Sequence, residues 1–142
     1  MSPGHASLEA DVVATAERAA STYCQMNLGD LDFREKSLVV VDAILVTLGT
    51  YGLAEGEIGI CAQDLGCYVL EVARRTLGGS YAWVEKWKAP VLVVGEPESQ
   101  IALATWDKAA GRIGGNLEDS MAFLYGGFAE RARSHEPSRC LG

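Results

Sequence analysis

The glycine pair Gly78-Gly79 divides the chain into two different patterns of hydrophobic residues. Before the pair, apolar residues recur every three or four positions, which is the period of an amphipathic helix. After it, short apolar runs at Tyr81–Glu85 and Val91–Val94 are bounded by turn residues and predict strands. Glycine readily takes the left-handed conformation that ends a helix, so the pair marks the boundary. Helices and strands segregated in this way predict an α+β domain rather than an alternating parallel α/β fold.

Three helices are predicted before the glycine pair. The first is an amphipathic helix that ends at Gly29, and its apolar stripe consists of Leu8, Val12, Ala16, Ala19, Tyr23 and Met26. The second runs from Arg34 to about Leu48, with Asp32 and Glu35 as a start that resembles a capping box. The stretch from Leu38 onward is apolar and β-branched, which leaves a buried strand as the alternative for this segment.

The third helix is predicted from about Glu57 to Leu77. At 100° per residue, one face forms the core side of this helix, with Ile58, Cys61, Leu65, Tyr68, Val69, Val72 and Thr76. The same projection places Cys67 at the surface. It also leaves Ile60 and Leu70 exposed, unless another part of the chain or a partner covers them.

The C-terminal part of the chain completes a small antiparallel meander and adds one or two helices. Ile101–Ala104 is predicted as the third strand, or else as part of a helix that continues through Trp106 and Ile113. The last helix carries Met121 to Phe128. Gly126-Gly127 inside that helix indicates close backbone packing or a kink, because glycine weakens a helix interior. We expect one α+β domain over residues 1–133 and a loose polar tail over 134–142.

Charge and targeting signals narrow the class of protein. The 142 residues include 12 basic and 19 acidic side chains, for a net charge of −7. Residues 1–78 hold 5 of the basic and 11 of the acidic ones, which makes the helical half the acidic one. This balance argues against binding to nucleic acid or to an anionic membrane. No signal peptide or membrane-length apolar run is visible, so we expect a cytoplasmic protein with reduced cysteines.

The sequence lacks the residue patterns that several common catalytic, metal-binding and phosphate-binding sites require. The only histidines, His5 and His135, lie in segments predicted to be loose termini, so we expect no nucleophile–histidine pair and no catalytic residues. Cys61 and Cys67 are turned about 240° from each other on a helix, which does not suit a zinc site. No phosphate-binding loop matches either. The sequence therefore predicts neither a metal nor a cofactor.

The best candidate for a binding site is a polar stripe on the third helix. Asp64, Tyr68, Glu71 and Arg75 follow the spacing i, i+4, i+7, i+11 and fall within a sector of about 60°. Two acids, a phenol and a guanidinium on one line suit a polar ligand or acid–base chemistry. Tyr81 and Trp83 then form an aromatic wall beside the stripe. The alternative is structural: Glu71 and Arg75 form an ordinary ion pair within the helix.

Asp42 is a carboxylate within the most apolar segment of the chain. Because a buried charge without a partner is unfavourable, Asp42 lies at a rim or has a partner. We expect a structural hydrogen bond or ion pair rather than a functional role.

A stretch of the chain resembles a family of uncharacterised bacterial proteins. The residues that carry the resemblance are Leu65-Gly66-Cys67-Tyr68-Val69-Leu70-Glu71-Val72, followed by Leu77-Gly78-Gly79-Ser80-Tyr81-Ala82-Trp83. In that family a Gly-x-Tyr-Leu-Gly-Glu-Val helix leads through paired glycines to an aromatic strand, and Leu70 stands here in place of the second glycine. The resemblance covers about residues 58–125 and implies an α+β domain of unknown function. It supplies no catalytic residue.

Two functions follow from these observations. The first is a non-enzymatic module, immunity-like or regulatory, whose acidic half binds a basic protein partner. It requires the acidic side chains to be contiguous, namely Glu9, Asp11, Glu17, Asp30, Asp32, Glu55 and Glu57. The second is a small-molecule binder or acid–base enzyme, with Glu71 facing a cavity, Tyr68 and Arg75 orienting, and Trp83 as a wall. The oligomeric state stays open.

Overall fold

A computed structural model of the chain describes residues 5–95 and 97–134, apart from the side chains of the first two. These residues form five helices and one three-stranded sheet. In chain order they are α1 (His5–Gln25), α2 (Ser37–Leu48), α3 (Glu55–Leu77), β1 (Ser80–Val84), β2 (Ala89–Val94), β3 (Ile101–Leu103), α4 (Trp106–Ile113) and α5 (Met121–Ser134). The predicted α+β class is confirmed. The predicted tail lies outside the described residues, except for Ser134, which ends α5.

The sheet is the predicted antiparallel meander, in the order β1-β2-β3. Tyr81 pairs with Leu92, and Leu92 pairs in turn with Leu103. All three side chains are buried, so this line of the sheet forms its core face. The alternative of a helix starting at Ile101 is wrong, because the strand ends at Leu103 and α4 begins three residues later.

The apolar segment before Leu48 is a helix, α2, as predicted, and not the alternative buried strand. Its start differs from the prediction: the residue before α2 is Lys36, and no side chain caps the helix. Asp32 instead accepts a hydrogen bond from the backbone N–H of Arg34 (3.0 Å), and Glu35 binds Tyr125 and Arg133 on α5. The capping box is wrong because Glu35 finds a partner on another helix.

The central helix of the molecule is α3, which packs against α1, α4, α5 and β2. Every residue from 65 to 73 is buried. Cys67 and Leu70, predicted at the surface, are therefore inside, whereas Thr76, predicted in the core, is exposed. Ile60 is exposed as predicted. A single apolar stripe fails to describe this helix because neighbours surround its middle turns.

The two terminal helices differ from their predictions in detail. On α1 the predicted stripe is buried from Leu8 to Tyr23, but Met26 lies beyond the end of the helix and is exposed. On α5 a Cβ added at Gly126 or Gly127 would meet no atom within 4 Å. Close packing at this glycine pair is therefore wrong, and both positions face solvent.

Candidate functional site

The Glu71 carboxylate lies inside a cluster of donors from its own chain. The side chain is 0% exposed. Arg74 donates to both carboxylate oxygens, at 2.8 and 2.7 Å, and Arg75 Nε donates to Oε2 at 2.8 Å. The Tyr81 hydroxyl, at the start of β1, donates to Oε1 at 2.7 Å. Four hydrogen bonds occupy both oxygens, so the protein itself holds this carboxylate.

The electrostatics of this cluster fix its protonation at neutral pH. Burial pushes the pKa of Glu71 upward, but the hydrogen bonds from Arg74, Arg75 and Tyr81 outweigh it and leave the pKa below its usual range. Burial, together with the hydrogen bond to Glu71, raises the pKa of Tyr81. The carboxylate is thus ionised and the phenol neutral. The ion pair between Glu71 and Arg75, expected as the structural alternative, is confirmed, with two further donors added to it.

Tyr68 and Arg75 join α3 to the loop between α1 and α2. The Tyr68 hydroxyl accepts a hydrogen bond from the Phe33 backbone N–H (2.8 Å) and is hydrogen-bonded to the Ser37 hydroxyl (2.7 Å). The guanidinium carbon of Arg75 lies 3.8 Å from the centre of the Phe33 ring. Phe33 has a φ of 65°, which an aromatic residue rarely adopts. These contacts hold the loop in place and explain why Tyr68 is inaccessible.

The six candidate residues therefore fall into two groups. Four of them bind other residues of the chain: Glu71, Arg75 and Tyr81 in the cluster around the Glu71 carboxylate, and Tyr68 at the loop before α2. The other two, Asp64 and Trp83, line a cleft of about 710 Å³. Glu71 does not line this cleft, so the expected cavity around its carboxylate is replaced by the cluster.

We call this cavity the tryptophan cleft. It lies between α1, α3, α4 and the hairpin that joins β1 to β2. Its apolar lining consists of Leu8, Val12, Cys67, Trp83, Pro90 and Trp106. Its polar lining consists of Asp11, Thr15, Arg18, Gln63, Asp64, Glu85 and Lys88. The cleft thus combines two indole walls with a lining that is about half polar, and its volume is within the range of small-molecule sites.

Gly66 on α3 allows Trp106 to pack close to this helix and form one wall of the cleft. A Cβ added at Gly66 would lie 2.6 Å from Trp106 Cδ1 and 3.0 Å from Thr105 Oγ1. The Thr105 hydroxyl donates to the Gly66 carbonyl at 2.8 Å. The absence of a side chain at Gly66 therefore allows the start of α4 to approach α3 and to place its indole in the cleft.

The two tryptophans of the cleft contact each other, and a buried thiol lies beside one of them. Their ring centres are 6.4 Å apart and the planes make an angle of 81°, an edge-to-face arrangement. Cys67 lies beside Trp106, whose indole N–H is buried and has no well-formed hydrogen bond. Burial raises the pKa of the Cys67 thiol to about 11. The thiol is therefore protonated at neutral pH and presents an apolar surface rather than a nucleophile.

Charged side chains at the cleft are mostly paired. Arg18 Nη2 lies 3.0 Å from Asp64 Oδ1, which joins α1 to α3. Lys88 forms an ion pair with Glu85, and the Trp83 indole N–H donates to the same carboxylate at 3.0 Å. Asp11 is exposed and makes no ion pair with the described residues. Three acids and two bases leave the cleft with one net negative charge.

Lys88 lines the cleft in a strained conformation. Its φ is 52°, in the left-handed region that favours glycine. Lys88 ends the tight turn between β1 and β2, where its N–H bonds to the Glu85 carbonyl at 3.3 Å. Residues other than glycine in strained backbone conformations are often found at functional sites.

Sequence reasoning missed most of the cleft. Asp11, Thr15 and Arg18 follow the spacing i, i+4, i+7 on α1, beside its apolar stripe, and this polar line was the available signal. Trp106 had no local signal, because its place beside α3 depends on Gly66, which is 40 residues earlier in the chain.

The acidic residues expected to form a partner surface are partly neutralised by arginines of the same chain. Three of the seven lie within 4 Å of an arginine nitrogen, in the pairs Glu9–Arg74, Glu17–Arg75 and Asp32–Arg34. A fourth, Glu57, accepts the Ala54 N–H at the start of α3. Their charge is therefore less available to a partner than the sequence count indicates.

Asp42 has the structural role that we expected. Its carboxylate accepts hydrogen bonds from the Ser120 hydroxyl (2.7 Å) and from the backbone N–H groups of Met121 (2.6 Å) and Ala122 (3.1 Å). Asp42 thus caps α5 from another helix, together with Ser120, whose hydroxyl accepts the Phe123 N–H at 3.2 Å.

Among the described residues, no group of three or more histidine, cysteine or acidic side chains is arranged to hold a metal ion. Cys24, Cys61 and Cys67 are free thiols, and Cys140 and His135 lie outside the described residues. Within residues 5–95 and 97–134, no helix has both the length and the apolar character needed to cross a bilayer.

The resemblance to an uncharacterised bacterial family stays a prediction. Comparison with protein-family models, with curated proteins and with solved structures found no significant match for this chain.

Proposed function

We propose that this protein binds a small molecule in the tryptophan cleft. The observation that carries the proposal is the pairing of two indole walls with charged side chains around one cavity of about 710 Å³. Small-molecule sites usually have volumes of about 300–1,000 Å³ and combine aromatic surface with a few polar groups. The strained backbone at Lys88 and the unpaired Asp11 support the same location.

Binding rather than covalent chemistry is the function that this cleft favours. Cys67 is the one cysteine among the residues that line the cleft, and its thiol, with a pKa of about 11, is protonated at neutral pH. Glu71, the acid–base residue expected from the sequence, is enclosed by its own donors and does not line the cavity. We therefore assign no catalytic residue.

A fragment screen by ¹H–¹⁵N NMR tests the proposal. Each of the three tryptophans has one indole N–H group to follow. Trp83 and Trp106 line the cleft, whereas Trp87 is exposed on the hairpin that carries Trp83. Aromatic fragments that bind in the cleft should shift the signals of Trp83 and Trp106 and leave that of Trp87 in place. Shifts confined to Trp87, or no saturable shifts at all, would contradict a cleft ligand.

Two matched variants separate the cleft from the rest of the hairpin. Trp83→Ala removes one wall and should weaken fragment binding by tenfold or more, since an aromatic side chain dominates a small site. Trp87→Ala removes an exposed indole four residues later and should leave binding unchanged. Equal losses in both variants would show that the fragments bind tryptophan nonspecifically.

A basic protein partner stays the second prediction, because the chain carries a net charge of −7. Two of the expected acidic residues, Asp11 and Glu55, are exposed and make neither an ion pair nor a side-chain hydrogen bond with the described residues, whereas Asp30 and Glu57 accept hydrogen bonds from Cys24 and from the Ala54 N–H. A tagged double charge-reversal variant, compared with wild type in a pull-down, tests it. A basic protein captured by wild type and lost in the variant supports this function, and equal capture by both contradicts it.

A further inference from the structure

We propose that the ligand of the tryptophan cleft is an organic cation with a flat apolar body. This inference rests on the proposed function and names the chemical class that the cleft takes. It is carried by the charges and aromatic surfaces that line the cavity together.

The charges of the cleft leave an anionic site for the ligand. Both cationic side chains already have carboxylate partners, Arg18 with Asp64 and Lys88 with Glu85. Asp11 lines the same cavity and has no ion pair with the described residues. A cationic ligand group completes this arrangement, whereas an anionic group would have to break an existing ion pair or lie beside Asp11.

The aromatic walls favour the same class of ligand. Trp83 and Trp106 stand nearly perpendicular, and both line the cavity. The face of an indole attracts a cation more strongly than any other aromatic side chain does, and this attraction is stronger where water is excluded. Leu8, Val12 and Pro90 supply the apolar surface against which a flat ring packs.

Three probes that share a naphthyl group and differ in the charge of the head group test the proposal. They are 1-naphthylmethylammonium, the neutral 1-naphthylmethanol and the anionic 1-naphthylacetate. Dissociation constants are measured by NMR titration of the Trp83 and Trp106 indole signals at low salt. We expect the cation to bind about fivefold or more tightly than the alcohol, and the anion to bind more weakly than both. Added salt should weaken the cation selectively.

A charge variant and a matched control test whether Asp11 causes the preference for a cation. Asp11→Asn should reduce affinity for the cation by about threefold or more and leave the alcohol unchanged. Glu130→Gln removes the same amount of charge from α5, which does not line the cleft, and should leave both affinities unchanged. Equal effects of the two variants would show a nonspecific effect of net charge and overturn the inference.

The outcomes separate this inference from the proposed function. If all three probes bind in the cleft with equal affinity, or if the anion binds best, the cation assignment is wrong and small-molecule binding stands. If no probe shifts the Trp83 and Trp106 signals in a saturable way, both proposals fail.

Discussion

The Asp42 carboxylate accepts a 2.6 Å hydrogen bond from the backbone N–H of Met121, although 79 residues separate them in the chain. Two further donors, the Ser120 hydroxyl and the Ala122 N–H, bind the same carboxylate. The first N–H groups of a helix have no partner within it, and the helix dipole favours a negative charge there. A side chain from α2 therefore caps α5 and fixes the position of that helix.

Replacing Asp42 tests this cap. Asp42→Ala should lower the free energy of unfolding by about 2 kcal/mol, because it leaves buried donors unpaired at the start of α5. Asp42→Asn keeps an acceptor oxygen and should cost less. Urea unfolding followed by circular dichroism gives both values, and an alanine variant as stable as wild type would refute the role of Asp42 as a cap.

The Glu71 cluster predicts a pH dependence of stability. Glu71→Gln removes a buried charge that two arginines and Tyr81 bind, and we expect a loss of about 3 kcal/mol near neutral pH. This is the lower end of the range for breaking a buried ion pair, since both arginines keep some contact with solvent.

The sign of the pH effect follows from the direction of the shift. The pKa of Glu71 in the folded protein is below its usual range, because the hydrogen bonds from its partners outweigh burial. Its contribution is therefore complete above the unfolded pKa of about 4.3 and is lost as pH falls through the folded value. Unfolding of wild type and variant between pH 3 and 7 should show a difference that shrinks toward acid. A difference that grows toward acid would contradict the assignment.

Gly66 and Gly59 form a matched pair on α3. An alanine at Gly66 would collide with Trp106 Cδ1 at 2.6 Å, so Gly66→Ala should destabilise the protein by about 1–3 kcal/mol and move the Trp106 indole signal. An added Cβ at Gly59 meets no atom within 4 Å. Gly59→Ala should therefore stabilise the helix by up to about 1 kcal/mol. The same sign of effect at both sites would contradict the close approach of α4 at Gly66.

Replacing Lys88 should change both the stability of the protein and its affinity for the cationic probe. Lys88→Gly relieves a φ of 52° and should raise stability by up to about 1 kcal/mol. It also removes the ion-pair partner of the Glu85 carboxylate, which keeps its hydrogen bond from the Trp83 indole, so the naphthylmethylammonium probe should bind more tightly. Lys86→Gly removes the same charge from the same turn at a residue without positive φ, and should show neither gain. Thermal unfolding and NMR titration measure the two effects, and weaker cation binding in Lys88→Gly would contradict the charge argument.

Part of the cluster around the Glu71 carboxylate could be predicted from the sequence. Glu71 and Arg75 are one helical turn apart, and this spacing alone predicts their contact. Arg74 and Tyr81 were not predicted as partners of the carboxylate. Tyr81 reaches Glu71 because the chain turns back at Gly78 and Gly79, both with positive φ, and the direction of that turn is a property of the folded chain.

Helix faces were predicted well where one side of the helix meets the core and poorly where several sides do. The stripe of α1 follows a simple period because this helix lies at the surface, with Leu8 and Val12 inside. The period places Cys67 and Leu70 outside, yet α1, α4, α5 and β2 cover α3 on several sides. Burial of such residues depends on which elements pack around the helix, and no local pattern records it.

The sequence by itself determined the segregation of helices and strands, the boundary at Gly78-Gly79 and the acidic balance, because these follow from the local period of apolar residues and from composition. It left two segments open between helix and strand, the one before Leu48 and Ile101–Ala104. Only the tertiary structure decided the partner of Asp42, the enclosure of Glu71 and the tryptophan cleft. The physical reason is distance along the chain. The cleft takes a few side chains from each of four elements, from Leu8 to Trp106, and their meeting depends on how those elements pack.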